Sequence, residues 1–272
     1  MALRSAIINV MERAARKAAR GLVRDFGEVE QLQVSRKGPA DFVSTADLRA
    51  ERILGAELRK ARPTFGLLME EGGAAAGDGH HRFIVDPLDG TLNFLHGIPH
   101  FAISIGLERD GEIVAGVILE PIKDELYWCE KGSGAFVNDH RLRVSARSRL
   151  VDSLVGTGIP FHGHGDHESF LKTFAAVMPE VAGIRRMGTA SLDLAYVAAG
   201  KLDGFWEFGL QPWDIAAGIL LVREAGGYVG EIDGGRNHLA SGNVLAANDK
   251  LLKPLGDLLQ ISLGQRPTRN AL

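Results

Sequence analysis

Acidic residues stand where apolar runs end, and this restricts the fold of the chain more than any other feature. Glu70-Glu71 closes Phe65-Gly66-Leu67-Leu68-Met69, and Asp86 follows Arg82-Phe83-Ile84-Val85 and opens Asp86-Pro87-Leu88-Asp89-Gly90-Thr91. Far downstream, Trp213-Asp214 precedes the apolar Ile215-Ala216-Ala217. Charge is seldom left idle at the buried end of a strand. If folding gathers Glu70, Asp86, Asp89 and Asp214 into one pocket, four negative charges repel one another unless hard cations neutralise them. Donors that are all oxygen select Mg²⁺ or Mn²⁺ over zinc or copper.

A chain of 272 residues, 45% of them hydrophobic, is long enough for one large domain or two tightly joined halves. Its net charge of −3 provides no global steering toward nucleic acid or anionic membrane. The single Cys129 excludes a disulfide framework and a zinc ribbon, and a reducing cytoplasm fits best. The longest apolar stretch, Ile215 to Val222, is under half of the roughly 20 residues that a spanning helix needs. Near the start, Arg4, Arg13, Arg16, Lys17, Arg20 and Arg24 face only Glu12, a balance that resembles a transit peptide. Ile7, Met11, Ala14, Ala18 and Leu22 nevertheless step at helical spacing, which favours a structural amphipathic helix.

The pattern predicts helices over Ser5 to Phe26 and from Ser44 or Thr45 to Lys60, joined by a polar connection from Glu28 to Pro39. Two short buried strands follow, ending at Met69 and Val85, with Gly72 to Gly79 between them as a flexible loop. Arg109-Asp110-Gly111 between Ala102 to Glu108 and Glu112 to Leu119 is a hairpin signal. Glu125 to Glu130 and Ala135 to Val137 continue that antiparallel pattern. From about Asp152 strands and helices alternate: strands at 154–157, 204–207, 227–231 and 244–247, helices at 167–177, 190–199, 215–225 and 250–258. The expected organisation is an α+β half over residues 1–145 and an α/β half over 146–272, sharing a cleft in one compact unit.

Taken singly, each acidic motif has an ordinary explanation. Asp-Pro-Leu-Asp-Gly-Thr makes a good turn, paired acids are usually solvated, and Asp at a helix start is most often an N-cap. Their joint occurrence points elsewhere. Asp86 and Asp89 project carboxylates, Leu88 offers a carbonyl, Gly90 permits close backbone approach, and Thr91 adds a hydroxyl beside N–H groups able to cradle phosphate. Metal-assisted phosphoryl chemistry is the leading expectation. His162, His164 and His167 match no zinc spacing and read as a solvated loop bordering the site. Arg185-Arg186 reads as rim or interface charge, or as a grip on a second phosphate. Trp206 and Phe208 read as packing around Glu207.

With these residues in view, the chain resembles the inositol monophosphatase family. The resemblance runs from Ile7 to Leu258 through Lys37 to Asp47, Glu70-Glu71, Asp86 to Phe94, Gly188-Thr189-Ala190-Ser191, and Phe205 to Gly209 with Trp213 to Gly218. It implies a layered αβαβα sandwich of the sugar-phosphatase type. It also implies one Mg²⁺ held by Glu70, Asp86 and the Leu88 carbonyl, a second held by Asp86, Asp89 and Asp214, and a third recruited through Glu70 by water, with Mn²⁺ able to substitute. Asp47 would orient Thr91, with Lys37 nearby; the implied nucleophile is a water whose proton Glu70 and the Thr91–Asp47 pair guide. Gly90 and Thr91 would bind phosphate beside Asp89 and Asp214, while Gly188, Thr189, Ala190 and Glu207 would line the alcohol side. Met69 departs from the small or polar residue common before the acid pair, which affects packing and leaves the ligand set intact.

The resemblance further implies myo-inositol monophosphate as substrate, inhibition by Li⁺ and a homodimer. Histidinol phosphate, fructose 1,6-bisphosphate and 3′-phosphoadenosine nucleotides are the competing substrates, since fold and metal site are shared among such enzymes. A different class of function, contact with RNA or the transcription apparatus, would use the basic face Arg13-Lys17-Arg20-Arg24.

Overall fold

The computed structural model describes residues 4–28, 34–38 and 41–267, without the side chains of 34–38 and 41–43. The expected first helix forms as α1 (Ala6–Phe26), capped by the Ser5 hydroxyl, which accepts from the Ile8 N–H. Its small apolar stripe of Ile8, Met11, Ala14, Ala15, Ala18 and Leu22 is buried. The polar connection is corrected in part: β1 (Val34–Gly38) pairs antiparallel with β2 (Asp41–Ser44). Ser44 and Asp47 then form a reciprocal capping box that starts α2 (Thr45–Ala61).

The first sheet is built from β3 (Gly66–Met69), β4 (Gly73–Ala75) and β5 (His81–Asp89), then, past α3 (Thr91–Leu95), β6 (Ala102–Arg109), β7 (Glu112–Glu120), β8 (Glu125–Glu130), β9 (Gly134–Val137) and β10 (His140–Arg141). Its eight strands run in the order β10-β9-β8-β7-β6-β5-β3-β4. The loop expected over Gly72 to Gly79 thus contains an edge strand, whose glycine and alanines carry no β-propensity signal and which depends on its ladder with β3. At the β6–β7 turn Asp110 and Gly111 take positive φ values of 52° and 81°, the two left-handed residues that an Asp-Gly hairpin calls for.

The remaining elements are β11 (Leu154–Thr157), α4 (His167–Val177), β12 (Gly183–Arg185), α5 (Ala190–Ala198), β13 (Gly204–Glu207), α6 (Pro212–Glu224), β14 (Tyr228–Gly230), α7 (His238–Ser241), β15 (Val244–Ala247) and α8 (Leu252–Ser262). Five of them form a second sheet in the order β12-β11-β13-β15-β14, parallel over its first three strands and antiparallel beyond. Strand β12 was not anticipated, since three residues around one isoleucine hold too little pattern to register. Helices α1 and α2 cover one face of the first sheet, α5 and α6 fill the space between the sheets, and α4 and α8 pack together on the outer side of the second. The layers are αβαβα, the expected sandwich.

Two features of the first sheet position the site. Asp86 pairs with Ser104 and Asp89 with Ala102, so β5 carries one more residue than β6 over this stretch. In a regular strand residues three apart point to opposite faces; one bulged residue brings Asp86 and Asp89 back to the same face. Pro87, which has no N–H for the ladder, is tolerated at such a bulge.

Helix α6 approaches the sheet over Gly106 and Gly116, which are direct cross-strand partners. A Cβ on Gly106 would lie 2.8 Å from Ala216 Cβ, and one on Gly116 would lie 3.0 Å from Ala217 Cα. This glycine-floored groove sets α6 against the strands, and the Ser104 hydroxyl donates to the Trp213 carbonyl at 3.2 Å beside Asp214. Gly106→Val should push the helix away, costing roughly 1–3 kcal/mol of unfolding free energy by overpacking. Urea titration measures this, and an unchanged midpoint would argue against the groove as the device that seats α6.

Candidate active site

The site grows from the ends of β3 and β5 and the starts of α2, α5 and α6. Asp86 is buried at the bulge, where its Oδ1 accepts the Leu88 N–H at 2.9 Å. Its carboxyl stands well above the usual range, chiefly because burial disfavours the charge and then because Glu70, Asp89 and Asp214 repel it. Asp214 is also well above its ordinary value, first through burial and then through Asp89, Glu70 and Glu207. It stands at the third position of α6, where its Oδ2 accepts the Gln211 N–H at 2.7 Å in a capping box. The four acids expected to meet are therefore neighbours, gathered from segments more than a hundred residues apart.

Asp89 has a different support. The N-cap residue of α5, Thr189, makes no side-chain cap bond, and Asp89 Oδ2 accepts the Ser191 N–H at 2.8 Å instead. Burial raises the Asp89 carboxyl to about 6, while the bonds from Ser191 and Ala190 at the helix start hold it back.

Gly90, with φ of 91°, leads into α3, and a Cβ there would lie 2.5 Å from Thr189 Oγ1. No other residue tolerates both the backbone and the contact. Thr91 Oγ1 lies 3.0 Å from Asp47 Oδ1 and 2.9 Å from the Leu88 carbonyl, so its single proton can serve either acceptor. Asp47 is fully buried; burial raises its pKa, while bonds from Ser44 and Thr91 oppose the rise.

Thr189 donates to the His100 carbonyl at 3.1 Å, and the Asn93 amide donates to the same carbonyl at 2.9 Å and to that of Met187 at 2.8 Å. This knot fixes Gly188, Thr189 and Ala190 behind the acids and off the wall of the main cavity. That cavity, about 540 Å³, is lined by Glu70, Asp214 and Glu207, together with residues 158–161 and 164–166. Glu207 ends β13 and lies against Gly158, where any Cβ would clash with its carboxylate. Burial, with Asp193 and Asp89 adding, pushes Glu207 up to about 8. Phe208 lines the cavity as well as packing beside Glu207, and Trp206 is wholly buried. The side chain of Lys37 lies outside the described residues.

Sequence reasoning missed Asp193. It is buried on α5, its Oδ1 has no hydrogen-bond partner, and its carboxyl is held well above the usual range by burial and Asp89, with exposed Arg186 opposing. One acid inside an alanine- and leucine-rich helix was the available signal. The histidine loop was expected to be solvated and to border the site; His162 and His167 are exposed, and His164 lines the cavity.

Among the described residues no three His, Cys, Asp or Glu side chains converge closely enough to hold an ion as they stand. Asp86, Asp89 and Asp214 each direct an oxygen at a backbone N–H. The donor set still fits a hard divalent cation, because it is all oxygen and its charges destabilise one another in a buried place.

The fold and this acidic cleft fit the layered αβαβα sandwiches of the sugar-phosphatase type, and comparison with known proteins is more specific. Residues 3–261 match the model of the inositol monophosphatase family. Inositol-1-monophosphatase of Mesorhizobium japonicum is 62% identical over 93% of this chain and 95% of the relative. The Nus factor SuhB of Pseudomonas aeruginosa is 44% identical over 93% of this chain and 96% of the relative. The crystal structure of the extragenic suppressor protein suhB from Bartonella henselae superposes with a TM-score of 0.92 at 60% identity, covering 94% of this chain and 99% of that one. The chain belongs to the inositol monophosphatase family, a family of phosphatases that are generally metal-dependent. No helix among the described residues is long and apolar enough to cross a membrane.

The raised carboxyls set a pH signature. In metal-free protein Asp89 holds its proton to about pH 6 when folded against an ordinary value of 3.8, so its proton-linked stability is full below 3.8 and lost as pH passes 6. Asp86 and Asp214, also raised by burial and neighbouring acids, add stability of the same sign that is lost as pH rises. His100 and His238, lowered to about 4 by burial, contribute the opposite slope between about 4 and 6.5. That slope is common to both conditions, so the difference between Mg²⁺ and chelator isolates the acids. Calorimetry should find a Tm gain on adding Mg²⁺ that grows from pH 5 to pH 8, reaching on the order of 5 °C. An equal gain at every pH would count against a repelling cluster.

Proposed function

We propose that the chain is a Mg²⁺-dependent phosphomonoesterase that hydrolyses myo-inositol monophosphate to myo-inositol and phosphate, using water as nucleophile. One observation carries the reading: Glu70, Asp86, Asp89 and Asp214 repel one another, and two of them, Glu70 and Asp214, line a cavity together with Glu207. Glu70, Asp86 and the Leu88 carbonyl are proposed to hold one ion, and Asp86, Asp89 and Asp214 a second, with a third joining when a phosphate dianion enters. Mn²⁺ offers the same preference for oxygen donors. When bound, the metal supplies charge neutralisation and Lewis acidity to the reacting phosphate.

The chain's own residues supply positioning and proton movement. The N–H groups of Gly90 and Thr91, at the start of α3, bind phosphate oxygens. Glu70 and Thr91 orient the attacking water, and as its proton reaches Thr91 Oγ1 the hydroxyl's own proton passes to Asp47 Oδ1, 3.0 Å away. Gly188, Thr189 and Ala190 hold the α5 side of the site, while Glu207 meets hydroxyls of the departing alcohol. Held up to about 8, Glu207 can donate as well as accept. Glu207 on the cavity wall favours a polyol, whose hydroxyls it can meet. The names of the Mesorhizobium and Pseudomonas relatives support catalysis and a transcription-linked role respectively. A homodimer, inhibition by Li⁺ and a cytoplasmic site of action belong to the same proposal.

Two experiments divide these readings. Steady-state kcat/KM with Mg²⁺ should be higher for inositol 1-phosphate than for histidinol phosphate, fructose 1,6-bisphosphate or 3′-phosphoadenosine 5′-phosphate. A tenfold preference for any other substrate overturns the assignment, that factor being about 1.4 kcal/mol of differential transition-state binding. Asp86→Asn should lower kcat by roughly a thousandfold or more. A cellular phenotype that survives this substitution would make binding to the transcription apparatus the physiological role.

A further inference from the structure

We propose that His164 is a specificity residue that recognises hydroxyl groups on the alcohol portion of the substrate; this rests on the phosphomonoesterase reading above. His164 lines the same cavity as Glu70, Asp214 and Glu207, and its Nε2 is shielded from solvent with no hydrogen-bond partner. Buried side-chain nitrogens without partners are few in native structures, and one on a ligand cavity wall is satisfied when the ligand arrives.

The neighbouring polar groups are already engaged. Asp166 accepts from the Ser169 N–H at 3.0 Å and the Ser169 hydroxyl at 2.6 Å, capping α4. The His167 ring lies 3.2 Å from the Phe161 carbonyl and the residue is exposed. His164 alone of the three loop histidines faces the cavity. Its ring packs on Phe161 with centroids 4.6 Å apart, and its backbone N–H donates to the Phe161 carbonyl at 2.9 Å. Gly163 and Gly165 on either side take φ values of 83° and 79°. The loop is thus turned sharply around His164, and the flanking glycines leave its backbone free to bring Nε2 onto an entering group.

The chemistry selects a hydroxyl. Nε2 of a neutral imidazole donates in one tautomer and accepts in the other, and a hydroxyl complements either. A phosphate oxygen complements only the donor, and the phosphate would be drawn to the cations held among the acids. Ile159, Phe161, Phe170 and Phe208 supply apolar walls suited to ring carbons, and His164 and Glu207 stand among the polar groups, with Glu70, Asp166, Gln211 and Asp214, that share the cavity. A polyol ring matches that arrangement.

The test compares inositol 1-phosphate with cyclohexyl phosphate, which keeps the six-membered ring and lacks the other hydroxyls. With purified full-length protein and Mg²⁺, His164→Ala should raise KM for inositol 1-phosphate about tenfold, the loss of one hydrogen bond, with kcat little changed. The same substitution should leave the KM of cyclohexyl phosphate, or its competitive inhibition constant where turnover is slow, within about twofold. His164→Gln, which retains a donor and an acceptor, should recover most of the inositol 1-phosphate affinity. Equal losses on both ligands, or no loss on inositol 1-phosphate, overturns the assignment of His164. If the unaltered enzyme hydrolyses other phosphomonoesters but not inositol 1-phosphate, the substrate reading itself fails, a result separable from the behaviour of the variants.

Discussion

The contact between the Asp89 carboxylate and the start of α5 is the interaction around which the site is arranged. It joins residues 102 positions apart, from the bulged end of a strand in the first sheet to a helix between the two sheets. α5 has no side-chain cap from its own N-cap residue, so the long-range carboxylate serves a helix end that would otherwise leave N–H groups without partners. In return the helix start stabilises a buried negative charge. The hydrogen bonds from Ser191 and Ala190 at the start of α5 hold the Asp89 carboxyl down against burial and the charge of Glu70.

Helix starts recur at the other acids. Asp47 and Asp214 each occupy the third position of a capping box, on α2 and α6. A cluster of carboxylates is difficult to bury, and placing members at helix N-termini offsets part of that cost without inserting a lysine or arginine that would compete with a cation. Acids at ordinary helix starts can in this way be gathered into one buried cluster. The N-cap expected at Asp214 is Gln211, with Asp214 completing the box from the third position, and the functional reading arises when acids at three helix starts are brought to one place.

The elements with strong local pattern were legible in the sequence. α1 and α2 have apolar spacing and caps, and Asp110-Gly111 announces the β6–β7 hairpin. What could not be read has a common physical cause: its determinants are non-local. β4 and β12 have three residues each and exist because a neighbouring strand offers unpaired backbone groups. The acids of the site could be named individually, whereas the pairing of Asp89 with Ser191 has no sequence signature. Asp193 escaped because one acid in an apolar helix reads as surface until the helix proves buried on all sides. For the histidine loop the sequence placed the segment beside the site, but it could not tell that His164 alone of the three histidines turns to the cavity, between two glycines of positive φ.

The bulge in β5 and the glycine groove beneath α6 solve one geometric problem from two sides. Alternation would send Asp86 and Asp89 to opposite faces of the sheet, and the extra residue at Pro87-Leu88 returns them to one. Ordinary side chains at positions 106 and 116 would hold α6 away from the strands, and their absence lets the helix carry Asp214 in beside Asp86. Neither device involves a charged residue, yet both determine how strongly the acids repel and therefore how strongly a cation would be drawn among them. The electrostatics of the site is set by backbone geometry and missing side chains as much as by the carboxylates themselves.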